Sequence, residues 1–212
     1  MRNISTIDKW LLNLDDAIRT TSGNLAADKD TDSWENKHTP ALSTEQKRLS
    51  SRLMRVNHCG EVCAQALYSG QAITSSSTDI KDHMQAAADD ERKHLVWCQN
   101  RIGELDSHVS YLNPLWFTAS FITGMATGLM GDAINLGFVA ATEDEVCKHL
   151  DKHIELLPEE DQKSKAILGA MRDDEMRHSE TALAHGGRRF PSSIRKVMTA
   201  MSGLMTKTTF WI

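Results

Sequence analysis

Proline is scarce in this chain, with only 4 in 212 residues, at positions 40, 114, 158 and 191. Long stretches therefore run free of the residue that breaks a helix interior. Asn-Gly turns and sustained alternation of period two are also missing, so essentially no β-sheet is expected. There is no basic surplus: 24 lysines and arginines stand against 29 aspartates and glutamates, a net charge of −5. With no face of clustered basic residues, no nucleic-acid partner is expected. Cys59, Cys63, Cys98 and Cys147 include one close pair but no second one. They lack the pattern of a thiolate metal site or a disulfide framework and read as reduced residues of a cytoplasmic protein. The N-terminus carries Asp8, Asp15 and Asp16 where a signal peptide would be apolar, so export is not expected. What remains is length enough for one domain with a real core.

What is present is a repeat. Asp-Asp-Glu-x-x-His occurs as Asp89 to His94 and again as Asp173 to His178. Each copy has a glutamate upstream: Glu61 lies 30 residues before Glu91, and Glu143 lies 32 before Glu175. Two glutamates plus two Glu-x-x-His pairs is the ligand set by which a four-helix bundle holds two iron or manganese ions. Its four carboxylate charges are those that two divalent cations neutralise. The spacing alone means little. Glu35-Asn36-Lys37-His38 has it too, in a polar stretch before Pro40 with no apolar frame, and reads as a surface loop. Glu91 and His94 instead fill gaps in the stripe Ile80, Met84, Ala87, Ala88, Leu95, Cys98, Ile102, Leu105. Glu175 and His178 continue Ile167, Leu168 and Met171, and Glu143 lies between Leu136, Ala140 and Val146, Cys147, Leu150. A buried ionised carboxylate costs several kcal/mol unless paired or metal-bound, and these stripes offer too few cationic partners.

The midpoint between Glu61 and Glu91 falls in Ser75-Ser76-Ser77, and that between Glu143 and Glu175 falls beside Pro158. Both are turn-forming sequences. Residues equidistant from a helical turn come level across the hairpin, for the second pair about 20 Å from it. An amphipathic helix over residues 6–19 carries Trp10, Leu11, Leu14 and Ile18, and residues 20–42 read as a polar linker. Ser43-x-x-Gln46 has the form of a capping box and opens a helix running to about Gly70. A second helix spans about 79–105. After Asn113-Pro114 a weakly polar stretch becomes the third, ending at Pro158, and the fourth runs over about 160–185 to Gly186-Gly187. A last amphipathic segment ends in Phe210-Trp211-Ile212. Two parts follow: residues 1–42, and a bundle over 43–212.

The run Arg55-Val56-Asn57-His58-Cys59-Gly60-Glu61, followed by Tyr68-Ser69-Gly70-Gln71, resembles the first ligand segment of the bacterial demethoxyubiquinone hydroxylases. The resemblance continues through Glu91-x-x-His94, Glu143 with His149 six residues on, and Glu175-x-x-His178, covering about residues 50–212. Cys59 and Cys63 depart from it, standing where small residues such as Ala and Gly are expected. The family is a group of ferritin-like di-iron monooxygenases of ubiquinone biosynthesis. The resemblance implies an all-α, ferritin-like four-helix bundle with a C-terminal membrane-associated amphipathic segment; the N-terminal amphipathic helix, outside the resemblance, is expected from its own residues. It implies two Fe ions per chain, bridged by Glu91 and Glu175, with Glu61 and His94 completing one and Glu143 and His178 the other. It also implies hydroxylation of the ring of a polyprenyl 3-methyl-6-methoxy-1,4-benzoquinone with O2 and NADH-derived electrons. His149 and Tyr68 are candidates beside the metals, and His58 lies near the Glu61 face. Asp90 and Asp174 are candidate partners of the histidines, or else solvated acids. A ferritin- or rubrerythrin-like oxidase without a quinone is the alternative, and a non-enzymatic membrane-surface protein is a more distant one.

A polyprenyl quinone is membrane-soluble, so peripheral contact with the cytoplasmic face of the bacterial inner membrane is expected, with other ubiquinone-biosynthesis proteins as candidate partners. Between Leu112 and Ala141 only Asp132 is charged before Glu143. Leu115 to Gly131 is close to the minimum membrane span of about 17 residues, but its glycines, serines and threonines favour an interfacial or tunnel-lining helix. A buried bundle helix with small residues for close packing competes. This segment, with Phe117 and Phe121, and the C-terminal Met198 to Ile212 are expected to dock the bundle. Arg188, Arg189, Arg195 and Lys196 would then lie near anionic headgroups.

Overall fold

The computed structural model describes residues 15, 17–23, 25, 40–75 and 77–212. The described residues hold no strand. Six long helices are α1 (Thr44–Thr74), α2 (Thr78–Glu104), α3 (Asn113–Leu129), α4 (Asp132–Leu156), α5 (Gln162–Ala184) and α6 (Ser192–Trp211). Helices α1 and α2 form one hairpin and α4 and α5 another, and these four make the ferritin-like bundle. Helix α3 lies in the long crossover between the hairpins.

The caps follow from local chemistry. Ser43 Oγ accepts from the Gln46 N–H at 3.2 Å, while Gln46 Oε1 accepts from the Ser43 N–H at 2.9 Å, the reciprocal pair of a capping box. Helix α5 is capped by Asp161, whose Oδ1 accepts from the Ser164 N–H at 3.0 Å and also from Arg101 at 2.8 Å. That helix ends before Gly186, which takes φ +98°, a left-handed conformation that favours glycine.

The expected stripes are buried. Cys98, Ile102, Leu168 and Met171 are sealed between the hairpins, each large aliphatic among them stabilising the fold by about 1.5–3 kcal/mol. A second cluster packs Tyr68 with Ile80, Met84, Leu136 and Val139 and with the small side chains Ala64, Ala87, Ala88, Ala140 and Ala182.

The expectation of one continuous third helix is corrected. The chain breaks at Met130-Gly131, where Gly131 takes φ +96° and α4 begins at Asp132. The first piece is α3, which packs on the outer face of α1. A Cβ on Gly70 would overlap the Phe121 carbonyl, one on Gly124 the Leu67 carbonyl, and one on Gly128 the Thr74 hydroxyl. Contacts advance together along both helices, so α3 runs parallel to α1, and glycines let the backbones meet. Its opposite face leaves Leu115, Ile122 and Leu129 exposed. No helix among the described residues is long and apolar enough to cross a membrane.

Most of the expected helix over residues 6–19, the linker through residue 39 and the Glu35/His38 pair lie outside the described residues. Of the part described, Ile18 is exposed, and Leu25 packs between Val62 and Leu95 with its backbone held by Gln99 at 3.1 and 3.3 Å.

Candidate metal centre

Each bundle helix presents its acidic residue inward at one level. Helix α1 supplies Glu61, α2 Glu91 and His94, α4 Glu143, and α5 Glu175 and His178. All four carboxylates and His94 are at most 2% exposed, and His178 is half-buried. Helical period alone places Glu91 and His94 on one face, so the second hairpin meets both.

His94 Nδ1 faces Glu175 Oε1 at 3.0 Å, Glu91 Oε2 at 3.4 Å and Glu61 Oε2 at 3.6 Å. His178 Nδ1 faces Glu175 Oε2 at 3.3 Å and Glu91 Oε1 at 3.4 Å. Glu91 and Glu175 thus each turn one oxygen to each histidine, the arrangement of carboxylates shared between two cations. One atom from each of Glu61, Glu91, His94 and Glu175 falls within 4.8 Å of all the others, a group able to hold a metal ion. Glu143 completes the other side, beside Glu175 and His178 and held by the Tyr68 hydroxyl, which donates to its Oε1.

The donor set fits metal ions. Both Glu91 oxygens and Glu143 Oε2 are buried without a hydrogen-bond partner, and Glu175 Oε1 and His94 Nδ1, though 3.0 Å apart, are not aligned for one. Leaving such groups unpaired costs about 1–3 kcal/mol each, more for charged ones. Among the described residues no lysine or arginine pairs with these carboxylates. Protons therefore occupy the metal-free site. Burial, then Glu91, holds the Glu61 carboxyl well above the usual carboxylate range, and burial, then Glu175, does the same for Glu143. Burial pulls both imidazoles down but is outweighed: Asp174 and then Glu175 hold His94 well above its ordinary value, and Glu175 and Glu91 raise His178 to about 11. Metal ions entering this site release protons.

The outer nitrogens identify a cross-pairing. His94 Nε2 meets Asp174 Oδ2 at 3.0 Å, and His178 Nε2 meets Asp90 Oδ2 at 3.4 Å. Each aspartate reaches the histidine of the other repeat, across the bundle rather than along its own helix. An outer carboxylate of this kind orients an imidazole ligand and raises its basicity. Each repeat thus supplies an inward-facing Glu and His together with an aspartate that meets the other repeat's imidazole.

The structure places His149 away from this cluster. Its Nε2 lies 2.9 Å from Ser202 Oγ of α6. The His153 ring is 6.3 Å from it, and His153 Nδ1 donates to Asn57 Oδ1 at 2.8 Å. His58 is fully buried, and neither ring nitrogen has a partner. Sequence reasoning missed His153 and Ser202. His153 repeats His149 at i+4 and could have been noticed, whereas Ser202 had no local signal. All four cysteines are free thiols. Cys59 accepts from Thr209 of α6 at 3.5 Å and Cys63 hydrogen bonds Ser120 of α3, so both outer helices touch neighbouring turns of α1.

Residues 48–209 match the family model described as ubiquinone biosynthesis protein COQ7. The chain is 46% identical over 211 residues to a 3-demethoxyubiquinol 3-hydroxylase of Nitrosococcus oceani, covering 100% of this chain and 99% of that protein. It is 49% identical over 211 residues to the protein of that name from Ectopseudomonas mendocina, covering 100% and 98%. It is also 47% identical over 221 residues to one from Pseudomonas aeruginosa, again covering 100% and 98%.

Proposed function

The chain belongs to the COQ7 family of ubiquinone biosynthesis proteins, and we propose that it hydroxylates the ring of a polyprenyl demethoxyubiquinol with O2 at a di-iron centre. The observation that carries this is the pair of carboxylates, Glu91 and Glu175, each facing both His94 and His178. Its relatives are named for the quinol, so the reduced ring is the substrate we assign. The reaction balances as ring C–H, O2, two electrons and two protons giving ring C–OH and water, with NADH as the ultimate electron source.

Glu61, Glu91, His94 and Glu175 would hold one iron, and Glu91, Glu143, Glu175 and His178 the other. Two ferrous ions bound there would supply the electrons that reduce O2 and so ready one of its oxygen atoms for insertion into the ring. The chain contributes position and dryness. Asp174 and Asp90 fix the two imidazoles with Nδ1 turned inward. Tyr68 holds Glu143 and carries a hydroxyl proton at the edge of the site. The buried apolar cluster around Tyr68 keeps water from that side of the site.

The prenyl tail favours peripheral docking on a bilayer, at the cytoplasmic face. Leu115, Ile122 and Leu129 recur at seven-residue spacing on the outer face of α3. Helix α6 exposes Ile194, Val197, Met201, Leu204 and Trp211. Phe117 and Phe121, by contrast, are half-buried, and Phe117 packs against the cluster of Val62 and Leu95, so charges there would damage the bundle. Leu115→Asp with Ile122→Asp is the sharper variant for liposome sedimentation.

The test of function is incubation of iron-loaded protein with demethoxyubiquinol, NADH and isotopically labelled O2. Product heavier by one labelled oxygen is expected. O2 consumption without quinol hydroxylation would refute the reading and favour a ferritin- or rubrerythrin-like oxidase.

A further inference from the structure

The hairpins α1–α2 and α4–α5 repeat each other, yet the two metal positions between them are unequal. On the Glu61 side the donors already stand at the separations that a shared cation imposes. Metal bonds of about 2.1 Å put neighbouring donors about 3.0 Å apart in octahedral and about 3.4 Å apart in tetrahedral geometry. His94 Nδ1 lies 3.0, 3.4 and 3.6 Å from oxygens of Glu175, Glu91 and Glu61. Each of these four residues offers one atom within 4.8 Å of all the others. On the Glu143 side one donor stands off. His178 Nδ1 has Glu175 at 3.3 Å and Glu91 at 3.4 Å, but no oxygen of Glu143 lies within 4.0 Å of either ring nitrogen. The His178 side chain is 12% exposed where that of His94 is 0%, and its outer aspartate is 3.4 Å away against 3.0 Å.

The difference traces to one hydroxyl. Tyr68 stands seven residues after Glu61, and the matching place, seven residues after Glu143, is Leu150. Tyr68 is fully buried, so its O–H needs an acceptor, and it donates to Glu143 Oε1. The other oxygen, Oε2, is left buried and unpartnered. Leu150 has no hydroxyl to offer Glu61 and packs instead in the apolar cluster with Met54 and Cys98. Glu61 therefore turns to His94, while Glu143 is held toward Tyr68.

We propose that the two positions fill in order: Glu61, Glu91, His94 and Glu175 take the first divalent cation, and Tyr68 is a positioning residue that keeps the second position, at Glu143 and His178, the weaker one. While Oε1 stays with the hydroxyl, Glu143 has a single oxygen to give. The second position then binds less tightly and exchanges its ion faster. At limiting iron the chain holds one ion, one short of the pair that the centre is built for. The order rests on the two-metal reading given above and not on the quinol.

The experiment titrates metal-free, full-length protein with Fe2+ under exclusion of O2, followed by calorimetry. Circular dichroism checks that each variant is folded. Two identical positions would also fill in two steps, because the ions repel each other, so the variants carry the test. His178→Ala should keep the first step within threefold of the parent and lose the second. His94→Ala should bind its single ion at least tenfold more weakly than His178→Ala does. Where either histidine variant fails to fold, Glu143→Gln and Glu61→Gln form the second pair, with the same expectation. Tyr68→Phe frees Glu143 Oε1, so the second step should tighten at least fivefold with the first unchanged, a selectivity that a merely structural role would not produce. Equal affinity of the single ion in the paired variants overturns the order and leaves the two-metal centre standing. An unchanged or weakened second step in Tyr68→Phe overturns the role of the tyrosine. No uptake of iron by the parent protein overturns both the order and the two-metal reading.

Discussion

Acidification should destabilise this protein through two histidines that take no part in the metal centre. His58 is fully buried with both ring nitrogens unpartnered, and burial pushes its imidazole down to about 4. Burial, then His149 and Lys152, brings His153 to about 4 as well. The folded chain therefore keeps both rings neutral, while the unfolded chain protonates each below about 6.5. The stability that neutrality contributes is complete above that value and is lost as pH falls from about 6.5 toward 4. At pH 4.5 the loss is about 2.5 kcal/mol per histidine by proton linkage, a large share of a typical total of about 5–15 kcal/mol. Urea denaturation followed by circular dichroism, at pH 7 and 4.5, reads it, and metal-free protein avoids interference from metal release. His58→Leu should lose about 2.5 kcal/mol less than the parent between the two pH values. An equal loss in both would refute the buried neutral imidazole.

Four further outcomes are expected. Glu91→Ala or Glu175→Ala should lose both metals by elemental analysis, whereas Glu61→Ala or Glu143→Ala should keep about one; full iron content in Glu175→Ala would sink the bridging assignment. Asp174→Asn should weaken metal affinity about 10–100-fold in competition with a chelator, because His94 loses its orienting carboxylate. Gly124→Leu should lower stability by about 1–3 kcal/mol in denaturant titration, since its side chain must part α3 from the Leu67 backbone. His149→Ala should keep near-full iron and lose hydroxylation, as suits a residue held by Ser202 outside the cluster; loss of iron would move it into the ligand shell.

The candidate ligands were legible because burial makes carboxylates conspicuous. Glu91 and His94 interrupt an apolar stripe that helical period lays out, and a charge there demands a partner that the stripe does not contain. The ends of the helices on either side of the serine run and of Pro158 were legible from those residues, and the start of α1 from its capping box. The break in the supposed third helix was not. Between Asn113 and Leu156 apolar periodicity is nearly continuous, and Gly131 looked like one small residue among several until its φ of +96° separated α3 from α4.

Local order therefore belongs to the sequence: where most of the helices begin and end, and which residues each would turn inward, since these depend on neighbours one to seven positions away. Contacts between distant segments belong to the tertiary structure. Asp174 meets His94 across 80 residues and Ser202 meets His149 across 53, and no periodicity encodes such pairs. They arise only when two hairpins come level and α6 closes over them. The same packing decided that Phe117 faces the bundle while Leu115 and Ile122 face outward, because the glycines of α3 let one face, and only that face, approach α1 closely enough to be buried.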